Sequence, residues 1–197
     1  KDSKAPVGSL IGIYPIQGKG VVNGSSHKKL LAIGNLKQPV HAWGEIYTGI
    51  SAKDYMDGTS NFYGVHSVTL YVDSVQVFNS TTDKVLPDEN RMINGFTDYE
   101  ELTRTRRLIM RSYKLPGNRL RLLHPNENRG AVTIDEERDY HFRYVLEDNF
   151  GNRRTYQFIV KGKRQDIPEY KPEANEMLYW NRTNVIQKPG MELVVPR

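Results

Sequence analysis

Five histidines, His27, His41, His66, His124 and His141, are the first residues to test for metal or acid–base chemistry. None stands in an H-x-H, H-E-x-x-H or H-x3-H pattern. A zinc site without cysteine needs two or three histidines, often with a carboxylate at fixed spacing. His41-Ala42-Trp43-Gly44-Glu45 comes nearest and supplies one pair only. Cysteine is absent, which excludes thiol catalysis, disulfides and thiolate zinc sites. No G-x-S-x-G occurs, and Ser67 directly follows His66, so on a strand the two would point to opposite faces. Asp135-Glu136-Glu137 and Asp88-Glu89 are acidic clusters in turn-like stretches. Glycosidase chemistry would need two carboxylates facing each other across a cleft, about 5–9.5 Å apart. Asp54, Asp57 and Ser60, with Gly58 between them, make a loose oxygen-rich loop that departs from the calcium-loop pattern, and they read as turn residues. No catalytic residue and no metal ligand is assigned on these grounds.

Gly18-Lys19-Gly20 and the Gly24–Lys29 stretch combine glycine with lysine. A phosphate loop needs a strand before it and a helix after it, and that context is missing. The basic charge is concentrated. Residues 101–130 hold eight Lys or Arg against two acids, in a chain of net charge +5. Arg104, Arg107, Arg111, Lys114, Arg119 and Arg121 form a candidate anion-binding patch. The alternative is a solvated helix face beside a strand edge. The patch lacks an aromatic stripe and base-reading Asn or Gln at helical spacing, so nucleic acid is not an expected partner. Trp43 and Leu178-Tyr179-Trp180-Asn181 could stack on sugar rings, but packing against the fold accounts for them better.

The elements that must position these residues read mostly as strands. Ile46, Thr48, Ile50 and Ala52 alternate with Tyr47, Gly49, Ser51 and Lys53. The same period recurs at Val68, Leu70 and Val72, at Tyr140, Phe142, Tyr144 and Leu146, and at Tyr156, Phe158 and Val160. Period two puts one set inward, the pattern of antiparallel sheets with one wet face. Further strands are expected at 9–15 and 29–33. Asp73-Ser74 predicts a tight hairpin turn, and residues 148–152 a second turn. Ala52-Lys53-Asp54 before Asp57-Gly58, and Leu146-Glu147-Asp148 before Gly151-Asn152, echo each other as strands that end on Asp. Both read as turn chemistry.

One helix is expected, over about 97–113. Thr97-Asp98-Tyr99-Glu100 has the form of a capping box, and Tyr99, Leu102, Arg106, Ile109 and Tyr113 make one stripe. Pro116-Gly117 would stop it. The fold class is therefore an Ig-like antiparallel β-sandwich with one inserted α-helix. Residues 1–165 form the sandwich. Residues 166–197 are a Pro-containing linker followed by the first strand of a further module, at 191–195. Twenty aromatic residues among 197 argue against disorder. No apolar run reaches the ~18 residues of a membrane span, and Lys1-Asp2-Ser3-Lys4 reads as a trimmed start rather than a signal sequence.

An ordered series of short motifs resembles the region after the catalytic domain in lysostaphin-type zinc metallopeptidases of Bacteroides-group bacteria. The series is Gly20-Val21-Val22-Asn23-Gly24-Ser25-Ser26, Ala42-Trp43-Gly44, Asp54-Tyr55-Met56-Asp57-Gly58-Thr59-Ser60-Asn61, Gly64-Val65-His66-Ser67-Val68 and Leu70-Tyr71-Val72-Asp73. It continues through Asp98-Tyr99-Glu100-Glu101, Pro116-Gly117-Asn118-Arg119-Leu120, Asn128-Arg129-Gly130, Glu136-Glu137-Arg138 and Tyr144-Val145-Leu146-Glu147-Asp148. It spans about residues 11–162. The resemblance implies a parent that hydrolyses peptidoglycan, with zinc held by H-x3-D and H-x-H pairs. Neither pair occurs here, so no zinc or catalytic residue carries over. The resemblance then implies a non-catalytic accessory module, exported to the periplasm or cell surface. Its partners would be its own upstream catalytic domain and peptidoglycan or other envelope components, and zinc would belong only to the parent's catalytic domain. Asp73-Ser74-Val75 resembles the short O-glycosylation signal of that group, with Ser74 as acceptor. The alternative function is a carbohydrate- or polyanion-binding module unconnected to a peptidase. An enzyme using Asp135, Glu136, Glu137 or Trp43 is the remaining reading.

Overall fold

The computed structural model describes residues 2–55, 57, 62–82, 92, 95–170, 184–188 and 191–195. The chain is mostly β. Its strands are β1 (Val7–Val22), β2 (Lys29–Ala32), β3 (Val40–Tyr55), β4 (Phe62–Tyr63), β5 (Ser67–Val72), β6 (Val75–Thr81), β7 (Met110–Arg111), β8 (Leu123–Pro125), β9 (Val132–Ile134), β10 (Asp139–Glu147), β11 (Arg153–Gly162), β12 (Asn184–Lys188) and β13 (Met191–Val195). The helix is α1 (Tyr99–Thr105), and a 3-10 turn occupies Ile33–Asn35. Hydrogen bonding runs without a break through β2-β1-β3-β11-β10-β5-β6-β8, with β4, β7 and β9 attached to β3. The result is one multi-stranded, curled sheet.

β3 is the hub. Antiparallel β1 lies along one edge from Ala42 to Lys53. The other edge is covered in succession by β11 at Val40–Ala42, β9 at Gly44–Ile46 and β7 at Gly49–Ile50. The β11 pairing is parallel and the rest are antiparallel. With both edges paired along most of its length β3 is a central strand, and it is rich in small and β-branched residues.

The alternating patterns fix the core. Ile46, Thr48, Ile50 and Ala52 are buried, as are Val68, Leu70 and Val72 and the set Tyr140, Phe142, Tyr144 and Leu146. On β11, Phe158 and Val160 are buried and Tyr156 is half-buried. Phe142 pairs directly with Phe158 across β10 and β11, and their rings stack with centroids 5.0 Å apart. The deepest ring, Tyr144, keeps a polar handle. Its hydroxyl shares hydrogen bonds with Thr48 Oγ1 at 2.6 Å and Ser112 Oγ at 2.8 Å, which removes the cost of burying three hydroxyls.

Two expectations need correction. The helix does not cover 97–113. It starts one residue later, with Asp98 as its N-cap, and ends at Arg106, whose φ of +62° closes the last turn. The stripe of Tyr99, Leu102, Arg106, Ile109 and Tyr113 is therefore not a helix face. Met110 and Arg111 instead pair with Ile50 and Gly49 of β3, and buried Ile109 belongs to the extended segment. The reason lies in the competing strand. Gly49 presents no side chain, and a Cβ there would sit 2.8 Å from the Met110 carbonyl, so β7 docks only because that position is glycine. The second correction concerns the C-terminal segment. The strand at 191–195 is preceded by another within 166–197, because β13 pairs antiparallel with β12 in a two-stranded sheet. The remainder of that expected linker beyond residue 170 lies outside the described residues.

The turns follow the sequence. Val72 pairs with Val75 across Asp73 (φ +49°) and Ser74 (φ +69°), a two-residue turn with both centres left-handed. Asp148 closes the β10–β11 turn by accepting from the Phe150 and Asn152 amides.

Candidate ligand-binding cleft beside the helix

Three local features build a cleft of about 810 Å³ beside α1. The first is a bulge in β1. Pro15 pairs with Ile46 and Gly20 with Gly44, so β1 carries three residues more than β3 between these pairs, and Ile16 and Gln17 reach the cleft wall. The second is β7, which brings Tyr113 against Tyr47. Tyr14, Tyr47 and Tyr113 stack as a ladder, with centroid spacings of 4.8 and 4.6 Å. Such stacks are worth about 0.5–1.5 kcal/mol per pair beyond area burial. The third is the N-terminus of α1, where Asp98 and Glu101 sit almost fully covered.

The two carboxylates are the electrostatic centre. Asp98 Oδ1 accepts from the Glu101 amide at 3.2 Å and caps the helix. Asp98 Oδ2 accepts from Lys28 Nζ at 2.8 Å and from the Tyr14 hydroxyl at 2.9 Å. Arg111 Nη2 stands 3.7 Å from Asp98 Oδ1. Glu101 accepts from Arg104 Nη2 at 3.0 Å and from Thr105 Oγ1 at 2.9 Å, and Lys28 is 3.3 Å away. Arg107 approaches Glu101 at 4.0 Å, and exposed Glu100 lies 3.6 Å from Lys28.

Burial opposes ionisation of Asp98, but hydrogen bonds from Lys28, the Glu101 amide and Tyr14 overcome it and hold the carboxyl below its ordinary value. Glu101 is likewise lowered, burial being outweighed by Arg104, Thr105 and Lys28. The Tyr14 hydroxyl is pushed up by burial and then by the Asp98 charge, and Tyr47 is raised chiefly by burial. Lys28 loses some basicity to burial but is raised overall by Asp98 and its neighbours. Asp98 and Glu101 are thus held ionised, Lys28 protonated, and Tyr14 and Tyr47 neutral.

The expected anion patch divides. Arg104, Arg107 and Arg111 converge on Asp98 and Glu101. Lys114, whose amide donates to the Arg129 carbonyl, and exposed Arg119 and Arg121 lie on the 112–122 segment. Sequence reasoning missed Lys28, Tyr14 and Tyr47 because they come from β1, β3 and the β1–β2 turn, far from α1 in the chain.

The other candidates are dispersed. Asp135 and Glu136 donate their amides to the Tyr140 hydroxyl, Glu136 pairs with Arg138, and Glu137 accepts from the Arg164 amide, so the acidic run dresses one turn. Trp43 is half-buried under the Arg164 guanidinium, 5.4 Å from the ring centroid. No three of the five histidines come close enough to share an ion. Among the described residues, the group of three or more His, Asp or Glu side chains close enough to share an ion is Asp2, Asp54 and Asp148. Asp88-Glu89, Ser60, Gly58 and Trp180 lie outside the described residues.

Ser74 is exposed at the tip of its hairpin. Beside it, between the 3-10 turn and the β10–β11 face, lies a second concavity of about 930 Å³. Lys37, Arg143 and Lys161 line it, together with Leu36, Pro39 and Phe158 and, among the described residues, no carboxylate.

No helix among the described residues is long and apolar enough to cross a membrane. The chain matches no family model, no curated protein and no solved structure.

Proposed function

We propose that this chain is a non-catalytic recognition module of an exported cell-wall zinc metallopeptidase, and that the cleft beside α1 receives peptidoglycan. The observation that carries this reading is the cleft itself. A stacked tyrosine ladder lines it beside Lys28, Arg104 and Arg111, three cations set against the two buried carboxylates of Asp98 and Glu101. A saccharide offers ring faces to aromatic side chains and hydroxyls to fixed ionic partners, and its peptide stem offers carboxylates to the cations. The volume is in the ~300–1,000 Å³ range of ligand sites. The fixed ionisation of the cluster suits recognition better than proton transfer. On this reading the curl brings the β2-β1-β3 side over the β10-β5-β6 side in the manner of an Ig-like sandwich. Zinc and hydrolysis belong to a catalytic domain elsewhere in the parent, the module sits in the periplasm or at the cell surface, and Ser74 is available for O-glycosylation.

Titration of the chain with soluble muropeptides tests the cleft. Saturable binding is expected, and Tyr113→Ala should weaken it about tenfold, as truncation of an aromatic anchor costs about 1–2 kcal/mol. Unchanged binding in Tyr113→Ala would remove the cleft from the proposal.

The polyanion-binding alternative is favoured by a different observation, the concavity beside Ser74, whose cations face no carboxylate in its lining. Salt-dependent heparin retention that falls in Lys161→Glu and not in Arg107→Glu would favour that reading.

A further inference from the structure

The geometry points to a calcium site formed by Asp2, Asp54 and Asp148 at the end of the sheet away from any role in the cleft chemistry. One carboxylate oxygen from each lies within 4.8 Å of the other two. Oxygen ligands about 2.3–2.6 Å from a calcium ion stand up to about 5 Å from one another, so a single ion can touch all three. The three residues come from separate parts of the chain. Asp2 precedes β1, Asp54 lies at the end of β3, and Asp148 follows β10.

An acidic cluster alone would not carry a site. The second observation is that two of its side chains are buried and unsatisfied. Asp2 is 6% exposed and Asp54 7% exposed. Asp2 Oδ2 and Asp54 Oδ1 are both sealed from solvent and accept no hydrogen bond. Buried carboxylate oxygens are ordinarily paired, because desolvating them unpaired is expensive. The neighbouring acceptors are already committed. Asp2 Oδ1 accepts from the Lys4 and Asp57 amides at 3.2 and 3.1 Å. Asp148 Oδ1 accepts from the Phe150 and Asn152 amides, and its Oδ2 accepts from Asn152 Nδ2 at 2.7 Å. Asn152 Nδ2 also donates to the Asp2 carbonyl at 3.2 Å, which ties the N-terminal segment to the β10–β11 turn. Burial raises the Asp54 carboxyl, and the charges of Asp148 and Asp2 raise it further. A divalent cation would relieve both effects at once.

The donor set decides the class of ion. All three donors are hard carboxylate oxygens, with no imidazole and no thiolate, so zinc and copper are disfavoured. A site assembled from three separate segments of the chain suits the adaptable coordination of calcium better than the strict octahedron of magnesium. The ion would act as a structural clamp holding residues 2–4 across the ends of β3 and β10. It is independent of what the cleft binds.

Calorimetric titration of the chelator-treated chain with CaCl2, followed by thermal melting, tests this. One calcium per chain is expected, with a melting temperature raised by about 5 °C at saturation. Asp54→Asn should weaken calcium binding at least tenfold, and Asp2→Asn should do the same if Asp54→Asn fails to fold. Absence of binding up to 10-millimolar order concentrations (~10 mM, far above structural-site affinities) would overturn the proposal, with a shared proton neutralising the cluster instead. Equal affinity for MgCl2 would overturn the assignment to calcium. Wild-type affinity in both Asn variants would overturn the site.

Discussion

At the scale of single residues, Asp98 does three things. It caps α1, orders Lys28 and Tyr14, and takes its place in the charge cluster that walls the cleft. Its carboxyl is lowered in the folded chain, so the sign of its linkage is fixed. It contributes stability above the ordinary carboxylate pKa of about 3.9, and that stability is lost as pH falls through the ordinary value towards the folded one. Glu101 behaves in the same direction. Denaturant unfolding at pH 7 should show Asp98→Asn less stable by about 3 kcal/mol, because Lys28 and Arg111 would lose their buried partner. The gap between variant and wild type should close as pH is lowered below about 4. A gap that is constant with pH would mean that the carboxylate charge plays no part. The sequence displayed Asp98 inside a capping signal and Glu101 just after it, yet the cap is offset by one residue from Thr97. Both Thr97 and Asp98 can cap, and what favours Asp98 is the pairing of Thr97 with Met110 and of the Asp98 amide with the Ile109 carbonyl. Neither contact is visible in local spacing.

At the scale of elements, strands were the most legible part. Period two in β5 and β10 reports directly which side chains face the core, because each strand keeps one face inward along its length. The helix was overextended because Tyr99, Leu102, Arg106, Ile109 and Tyr113 satisfy helical spacing, whereas the bare backbone of Gly49 draws the second half of that segment onto β3. Propensity yields to tertiary pairing where a strand edge is open to receive it. The β5–β6 hairpin was read correctly from Asp73-Ser74. Asp73 also holds its neighbours, since Oδ1 accepts from the His141 amide at 2.9 Å and Oδ2 from Arg138 at 2.7 Å. Ser74, by contrast, sits at φ +69° without being glycine. Ser74→Gly should stabilise the chain by about 0.5–1 kcal/mol, read as a melting-temperature rise of about 1–4 °C. A fall in melting temperature would show that the Ser74 side chain makes a contribution larger than its backbone strain.

At the scale of the whole molecule, the long β3 strand organises two separate regions. One end and middle carry the tyrosine ladder through Tyr47, and its far end delivers Asp54 to the carboxylate cluster. The echo between Asp54 and Asp148 was visible in the sequence as two strands ending on Asp before a turn. Its meaning was not, because the two strands are not neighbours in the sheet, and only the folded chain brings their ends together and adds Asp2 from the N-terminal segment. The cleft shows the same limit. Its basic residues stood out as a run in the chain, but the carboxylates that engage Arg104, Arg107 and Arg111, and the adjoining ring stack, are assembled from β1, β3, α1 and the segment following β7. Composition and motif spacing report what side chains are present, and the fold decides which charges cancel.

The central claim is that this chain recognises peptidoglycan without cutting it. Co-sedimentation of the purified chain with insoluble peptidoglycan, with the supernatant analysed for released muropeptides, tests both halves in one assay. The account expects the wild-type chain in the pellet, Tyr113→Ala largely in the supernatant, and no muropeptide released by either. Soluble muropeptides appearing with the wild-type chain, or a wild-type chain that stays in solution, would contradict it.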